Sequence, residues 1–288
     1  MATTIFLVNP QTFPSSTSYL LDTYTAAAAY SLRQLKTGVT NVVRVRRSGD
    51  NAESDFTADE ITDGTLTTWT GANNGFVTTI YDQSGNGNNF TQGTASNQPK
   101  IVSSGSVITK GSLPTLDLDG TNDSMSRVSI TAIESYPFSI FSVASNEGNT
   151  TTGNVLLAQR LTSTSGDQSG ILVNTDRRTN RSGTFIDYGA TTNAYQYLVQ
   201  ENNSDQRLQV FTIDSSSNGE MWLNGTSQDS ATISAYSTTP NTSAYLGRNP
   251  ISSAVSDMNF QELIIFGTDE SANRTDIEDD INTHYSIY

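Results

Sequence analysis

From Val42 onward the sequence keeps a period of two. Val43 and Val45 fall on one side of an extended chain and Arg44 and Arg46 on the other, and alternating or wholly apolar runs recur at 76–81, 115–118, 138–143, 155–158, 170–173, 208–213, 221–223 and 260–266. Alternation of this kind places successive side chains on opposite faces of a strand. Turn clusters separate the runs: Ser84-Gly85-Asn86-Gly87-Asn88-Asn89, Asp119-Gly120-Thr121-Asn122-Asp123, residues 215–219, and Asn224-Gly225. Gly, Asn and Asp take tight-turn conformations at little cost. Many short strands and only two helical stretches exclude a βαβ layering. They predict an all-β jelly-roll sandwich of two antiparallel sheets, with one helix near the N-terminus and one at the C-terminus.

The first helix is expected from a cap at Asp22-Thr23 to Lys36, with Ala28, Leu32 and Leu35 on one stripe and Gly38 just beyond its end. The second runs from about Ser271 to Tyr285, with Ile277, Ile281 and Tyr285 inward and Asp276, Glu278, Asp279 and Asp280 turned to water. Residues 1–20, with Ile5-Phe6-Leu7-Val8 followed by Pro10 and Pro14, read as an arm or edge strand, and 21–288 as one sandwich domain. A chain of 288 residues buries a sizeable core unaided.

Composition removes several chemistries. There is no cysteine, so disulfides, thiolate nucleophiles and Cys-based metal sites are excluded, and the single histidine, His284, rules out a His cluster. Acids outnumber bases 29 to 15 for a net charge of −14, which repels phosphate and argues against nucleic acid. No apolar run approaches a membrane span, and Met1–Pro10 does not read as a secretory signal.

Two stretches resemble known families. Ala29-Tyr30-Ser31-Leu32-Arg33, the run from Val43 to Ala52, and Thr79-Ile80-Tyr81-Asp82-Gln83-Ser84-Gly85-Asn86-Gly87-Asn88 resemble, in order and spacing, the start of the catalytic domain of fungal α-L-arabinofuranosidase B. More broadly, Leu116–Asp123, Glu220-Met221-Trp222-Leu223-Asn224-Gly225 and Phe260–Phe266 resemble concanavalin A-like and laminin G-like domains, which also occur in bacteriophage virion proteins. The Asn224-Gly225 pair suits a type I′ hairpin turn.

The arabinofuranosidase resemblance implies a nucleophilic Glu in mid-domain and an acid before the closing strand. The mid-domain counterpart, Asp167-Gln168-Ser169-Gly170-Ile171-Leu172, has Gln168 where the Glu would stand, and an amide cannot attack as a carboxylate does. Asp257 is the carboxylate before the closing strand, but its spacing to Phe260 and Glu262 departs from the family's pattern. The family's disulfides cannot form here. Neither Asp167 nor Asp257 is therefore carried over as catalytic, and no catalytic residue is assigned.

Candidate ligand-binding residues are Asp82, Gln83, Asn86 and Asn88, whose side chains could meet sugar hydroxyls or Ca²⁺, together with Trp222 and Asp257. Each has a structural alternative. Residues 82–89 can be a self-bonded turn. Trp222 can be core, in which case another element must cover it, because it faces away from Met221 and Leu223. Asp117, Asp119 and Asp123 lack the EF-hand pattern and read as a strand end. Arg44, Arg46 and Arg47 read as partners of nearby acids. No cofactor is required, Ca²⁺ being the one candidate.

The reading expected from these features is a non-catalytic, lectin-like virion surface protein. It would be made in the host cytoplasm, assemble with identical copies or other virion proteins, and contact a cell-surface glycan without nucleic acid or membrane insertion. The alternative is an α-L-arabinofuranosidase-like glycoside hydrolase.

Overall fold

The computed structural model describes residues 18–147, 154–160, 170–174, 176–178, 181–183, 205–232, 243–249 and 255–288. In the first part of the chain the helix α1 (Leu20–Thr23) leads to β1 (Ala28–Ser31), β2 (Val43–Arg47) and β3 (Glu53–Phe56). Two short helices, α2 (Ala58–Thr62) and α3 (Thr65–Thr70), precede β4 (Gly75–Ile80), β5 (Phe90–Thr91), β6 (Lys100–Ser103) and β7 (Ser106–Val107). Then come β8 (Thr109–Lys110), β9 (Leu113–Pro114), β10 (Leu116–Asp119), β11 (Met125–Arg127), β12 (Phe138–Asn146), β13 (Val155–Arg160), β14 (Gly170–Asn174), β15 (Asp176–Arg178) and β16 (Arg181–Gly183). The chain continues through β17 (Arg207–Ile213), β18 (Asn218–Leu223), β19 (Thr226–Thr232), β20 (Ala244–Leu246) and β21 (Asp257–Phe266) to the helix α4 (Arg274–Tyr285).

The architecture is an all-β sandwich, as the alternating runs predict. One layer runs β19–β18–β17–β12–β21, with β1 and β10 sharing the far edge of β21, and every pairing is antiparallel. The ladder continues through β6, β4 and β5 to β11, β20, β13 and β14. A single apolar cluster joins Phe138, Ile140, Phe211, Met221, Leu263 and Ile265 of the first layer to Met125, Leu156, Leu157, Ile171 and Leu246 of the second. The other face of the first layer carries Phe141, Val143, Leu208, Val210, Ile264 and Phe266, which pack beneath Ile277, Ile281 and Tyr285 of α4. Asn224 and Gly225, at φ 48° and 73°, make the two-residue turn between β18 and β19 that their sequence predicts.

Two expectations are corrected. The helix over 22–36 does not form: α1 ends at Thr23, and Ala28, Ala29, Tyr30 and Ser31 pair with Ile265, Ile264, Leu263 and Glu262 of β21. Helix propensity separates ordinary residues by only a few tenths of a kcal/mol each, at most about 0.7. Strand pairing buries Ala28, Ala29 and Tyr30 completely, and burial prevails. In α4 the three inward residues are as expected, but Glu278 is 2% exposed and lies against Arg274 rather than in water. Burial pushes its carboxyl up to about 7.

Candidate active site

The strand β21 changes chemistry halfway along. Against β12 its register pairs Val143 with Glu262 but Ala144 with Phe260, so Gln261 is an extra residue. This bulge puts Gln261 and Glu262 on the same outer face. Such insertions re-aim side chains and are frequent beside active sites. Beyond the bulge the outer positions are Asn259 and Asp257, opposite Asp117 and Asp119 of β10. On the other side Ser145 faces Asn259, and the N–H of Glu147 donates to the carbonyl of Asp257 at 3.0 Å. Directly opposed residues of antiparallel strands have Cβ atoms about 4.5–5.5 Å apart, so Asp117, Asp119, Asp257 and Glu147 form one carboxyl group cluster on a sheet surface.

The four carboxyls are not equivalent. Asp119 is committed to its own turn, accepting from the N–H of Thr121 at 2.8 Å. The carboxyls of Asp257 and Asp117 accept no hydrogen bond among the described residues. Burial, with Asp117, Glu147 and Asp119 adding repulsion, raises Asp257 above the ordinary carboxylate range. Burial also raises Asp117, although Lys100 opposes it. Glu147 goes the other way: burial works to raise it, but hydrogen bonds from Lys110, Ser145 and Asn259 and the Lys110 charge outweigh that effect and hold it low. Its Oε1 lies 2.6 Å from Lys110 Nζ and 2.9 Å from Ser145 Oγ.

Asn154 fixes the Asp257 backbone from both sides, donating to its carbonyl at 2.9 Å and accepting from its N–H at 2.9 Å. Asn259 is 8% exposed, and its Oδ1 has no hydrogen-bond partner. A buried acceptor without a donor costs about 1–3 kcal/mol. It stands on the same face as the acids. Carboxyls with divergent protonation can protonate one atom of a bound polyol while an ionised partner stands by.

Residues 82–89 are directed at the fold. The Asp82 carboxylate accepts from the N–H groups of Ala29, Ser84 and Asn88, each at 2.9 Å. Gln83 is fully buried, donates to the carbonyls of Ser31 and Arg33, and accepts from the N–H of Leu35. Asn86 and Asn88 donate to the carbonyl of Ala27 at 3.0 and 2.8 Å. These side chains tie the turn to β1. Among the described residues no group of three or more acids or histidines is arranged to hold a metal ion.

Trp222 is 6% exposed and packs under α4, with the Arg274 guanidinium 4.7 Å from its ring centre. The covering element its alternation requires is α4. The structure brings Asp257 together with Asp117, Glu147 and Asn259, which sequence reasoning did not select; only the period-two placement of Asp117 and Asp119 hinted at a shared face. Asp167 and Gln168 lie outside the described residues, as does most of the 1–20 arm.

Behind the bulge, Glu262 is fully buried. It receives both Nε and Nη2 of Arg33, at 2.8 and 3.0 Å, with Ser31 Oγ at 2.7 Å and Tyr285 Oη at 3.2 Å. Arg33, Asp280, His284 and Tyr285 line a cleft of about 350 Å³ together with Leu20, Ala58 and Pro114. This network closes on itself and leaves Glu262 no exposed edge.

No family model and no curated protein matches the sequence. Solved structures do. An arabinofuranosidase complexed with arabinofuranosyl-α-1,2-xylobiose superposes with a TM-score of 0.66 at 14% identity, over 89% of this chain and 62% of that one. A GH54 α-L-arabinofuranosidase mutant soaked with 4-nitrophenyl α-L-arabinofuranoside gives 0.64 at 13%, with the same coverage. A Trypanosoma rangeli sialidase gives 0.51 at 12%, over 72% of this chain and 31% of that one. The chain thus spans less than two thirds of the length of these structures. The likeness is one of fold, and it overturns the expected non-catalytic virion protein, because these sandwiches are those of glycoside hydrolases. What the comparison establishes is a β-sandwich shared with glycoside hydrolases.

Proposed function

We propose that this chain is a glycoside hydrolase that removes terminal α-L-arabinofuranosyl residues, with Asp257 as general acid and Glu147 as its ionised partner. The observation that carries the reading is the divergence of two carboxyls on neighbouring strands. Asp257 is raised by burial and by the surrounding acids, whereas Glu147 is held low by Lys110, Ser145 and Asn259 against its burial. Two carboxyls with separated protonation states are what glycoside hydrolysis uses. The acid protonates the departing glycosidic oxygen, and the carboxylate meets the positive charge that develops at the anomeric carbon. Retaining enzymes hold their two carboxyls about 5–5.5 Å apart, a separation that side chains on adjacent strands can reach. The choice of substrate rests on the arabinofuranosidases that share the fold.

The test is turnover of 4-nitrophenyl α-L-arabinofuranoside. The chain should release nitrophenol, and Asp257→Asn and Glu147→Gln should each lower kcat/KM by roughly 100-fold or more, the usual worth of a positioned acid or base. Turnover that survives both substitutions would remove these residues from the chemistry. A folded chain inert toward aryl furanosides and pyranosides alike would end the hydrolase reading.

A further inference from the structure

A single row of outward side chains crosses the sheet beside the acid cluster. The register pairs Arg46 with Phe76, Phe76 with Lys100, Lys100 with Asp117, Asp117 with Asn259, and Asn259 with Ser145. Paired residues point to the same face, and the alternate residues Val45, Val77, Ile101, Leu116 and Phe260 all lie in the core. At the far end of the row, Phe76 is partly exposed and flanked by two cations, with the Arg46 guanidinium 5.0 Å and the Lys100 ammonium 6.0 Å from its ring centre.

These two charges belong to the cations that contact no carboxylate among the described residues, as does Lys36, which donates to the Ser84 carbonyl. Arg33, Arg44, Arg47, Lys110 and Arg274 each contact a carboxylate. Arg46 instead donates to three neutral acceptors, Gln98 Oε1 at 2.7 Å, Asn51 Oδ1 at 2.9 Å and the Ala95 carbonyl at 3.2 Å. They hold the guanidinium in place without neutralising it. Glu53, opposite Arg46 on β3, directs its carboxylate to Arg44 Nε at 2.7 Å. Lys100 forms no ion pair among the described residues; Asp117 is its nearest acidic neighbour along the row. In a chain with 29 acids and 15 bases, two cations left without a carboxylate beside one partly exposed aromatic ring leave room for an anion that belongs to something else.

We propose that Arg46, Phe76 and Lys100 form a distal subsite for an anionic sugar residue, a hexuronate in the polysaccharide whose side chains the Asp257 site removes. The assignment builds on the hydrolase reading and adds the polymer to it. Phe76 offers an apolar face to the C–H side of the ring, and the two cations bracket its carboxylate, with Arg46 supplying guanidinium N–H groups beyond the three already used. Phe76 stands three strand intervals, roughly 14 Å, from the Asp257 strand. At that range Asp257 lies beyond the Debye length of about 10 Å at 0.1 M salt; Asp117, directly opposite Lys100, draws on that lysine's charge, and Arg46 lies one strand beyond Phe76, away from the cluster.

The experiment is calorimetric titration of the whole chain with tetragalacturonate, its carboxyl-reduced counterpart and a sulfated neutral tetrasaccharide. Tetragalacturonate should bind at least tenfold more tightly than the reduced form, and Arg46→Gln or Lys100→Met should bring that ratio close to one. Thermal melting checks folding, and Lys100→Met decides alone if Arg46→Gln unfolds. Equal affinity for the acidic and reduced oligomers, no detectable binding of tetragalacturonate, or an unchanged ratio in the folded variants would overturn the subsite. Tighter binding of the sulfated oligomer than of tetragalacturonate would overturn the hexuronate assignment. Turnover of the aryl arabinofuranoside is read separately. Acid-selective binding without turnover leaves the subsite and removes the hydrolase, and turnover without acid-selective binding does the reverse.

Discussion

Glu147 donates its backbone N–H to the carbonyl of Asp257, so the two carboxyls emerge from adjacent strands side by side. At ordinary values, about 4.3 for Glu and 3.9 for Asp, the aspartate would lose its proton first and no useful acid would remain. The opposed shifts work against that order. Activity should follow a bell, rising as Glu147 ionises and falling as Asp257 does. Lys110→Met removes the charge that helps hold Glu147 low, and should therefore move the acid limb of kcat/KM upward and narrow the bell. An unmoved acid limb would show that Glu147 is not the group titrating there.

The Arg33–Glu262 pair is buried and bidentate. Removing the Glu262 charge leaves Arg33 with Asp280 alone, 2.7 Å away, so the cost is about 1.5–3 kcal/mol, the worth of hydrogen bonds to a charged group. Glu262→Gln should lower unfolding stability by that order in urea titration, whereas the double change Arg33→Met with Glu262→Leu should restore much of the loss. A double variant as unstable as the single one would contradict the account.

Trp222 fills the space between β18 and α4 and supports Arg274 on its ring. Trp222→Ala should cost about 3–5 kcal/mol, measured by denaturant unfolding. Oligosaccharide affinity of the folded fraction should stay at the wild-type level, since the ring has no open face. Lost affinity at unchanged stability would make it a sugar platform.

Asp123 is buried, and burial with repulsion from Asp119 pushes its carboxyl up to about 7. Between roughly pH 4 and 7 the folded chain therefore keeps a proton that the unfolded chain has released, and stability falls as pH rises through that window. Glu278, also pushed up to about 7, acts in the same direction. Melting temperature should drop between pH 5 and pH 8, and Asp123→Asn should recover on the order of 2 °C at pH 8. A variant whose melting curve keeps the full wild-type slope would clear Asp123 of the effect.

The strands at 138–143, 208–213 and 260–266 were legible because burial on both faces crowds Phe, Ile, Leu and Val into short runs with only a few polar breaks, such as Ser139, Gln209 and Gln261. The 22–36 segment was not. Alanine and leucine at helical spacing look alike whether they line a helix or fill a strand against β21, and only the partner strand, more than 230 residues away in the register of Ala28 with Ile265, decides. The candidate site divides in the same way. Asp257 could be picked out by its place before the closing strand. Glu147, Asp117 and Asn259 could not, because what unites them is cross-strand register, and Gln261, which sets that register, has no local signature.

That extra residue can be lost without disturbing which way β21 faces. Without Gln261, Phe260 and Glu262 would follow one another in strict alternation, with Met258 and Phe260 still in the core and Asp257 and Asn259 still outward. A lineage carrying this domain could shed the bulge by deleting one codon, whereas one codon inserted between Asn259 and Phe260 would turn both acid-face residues into hydrocarbon.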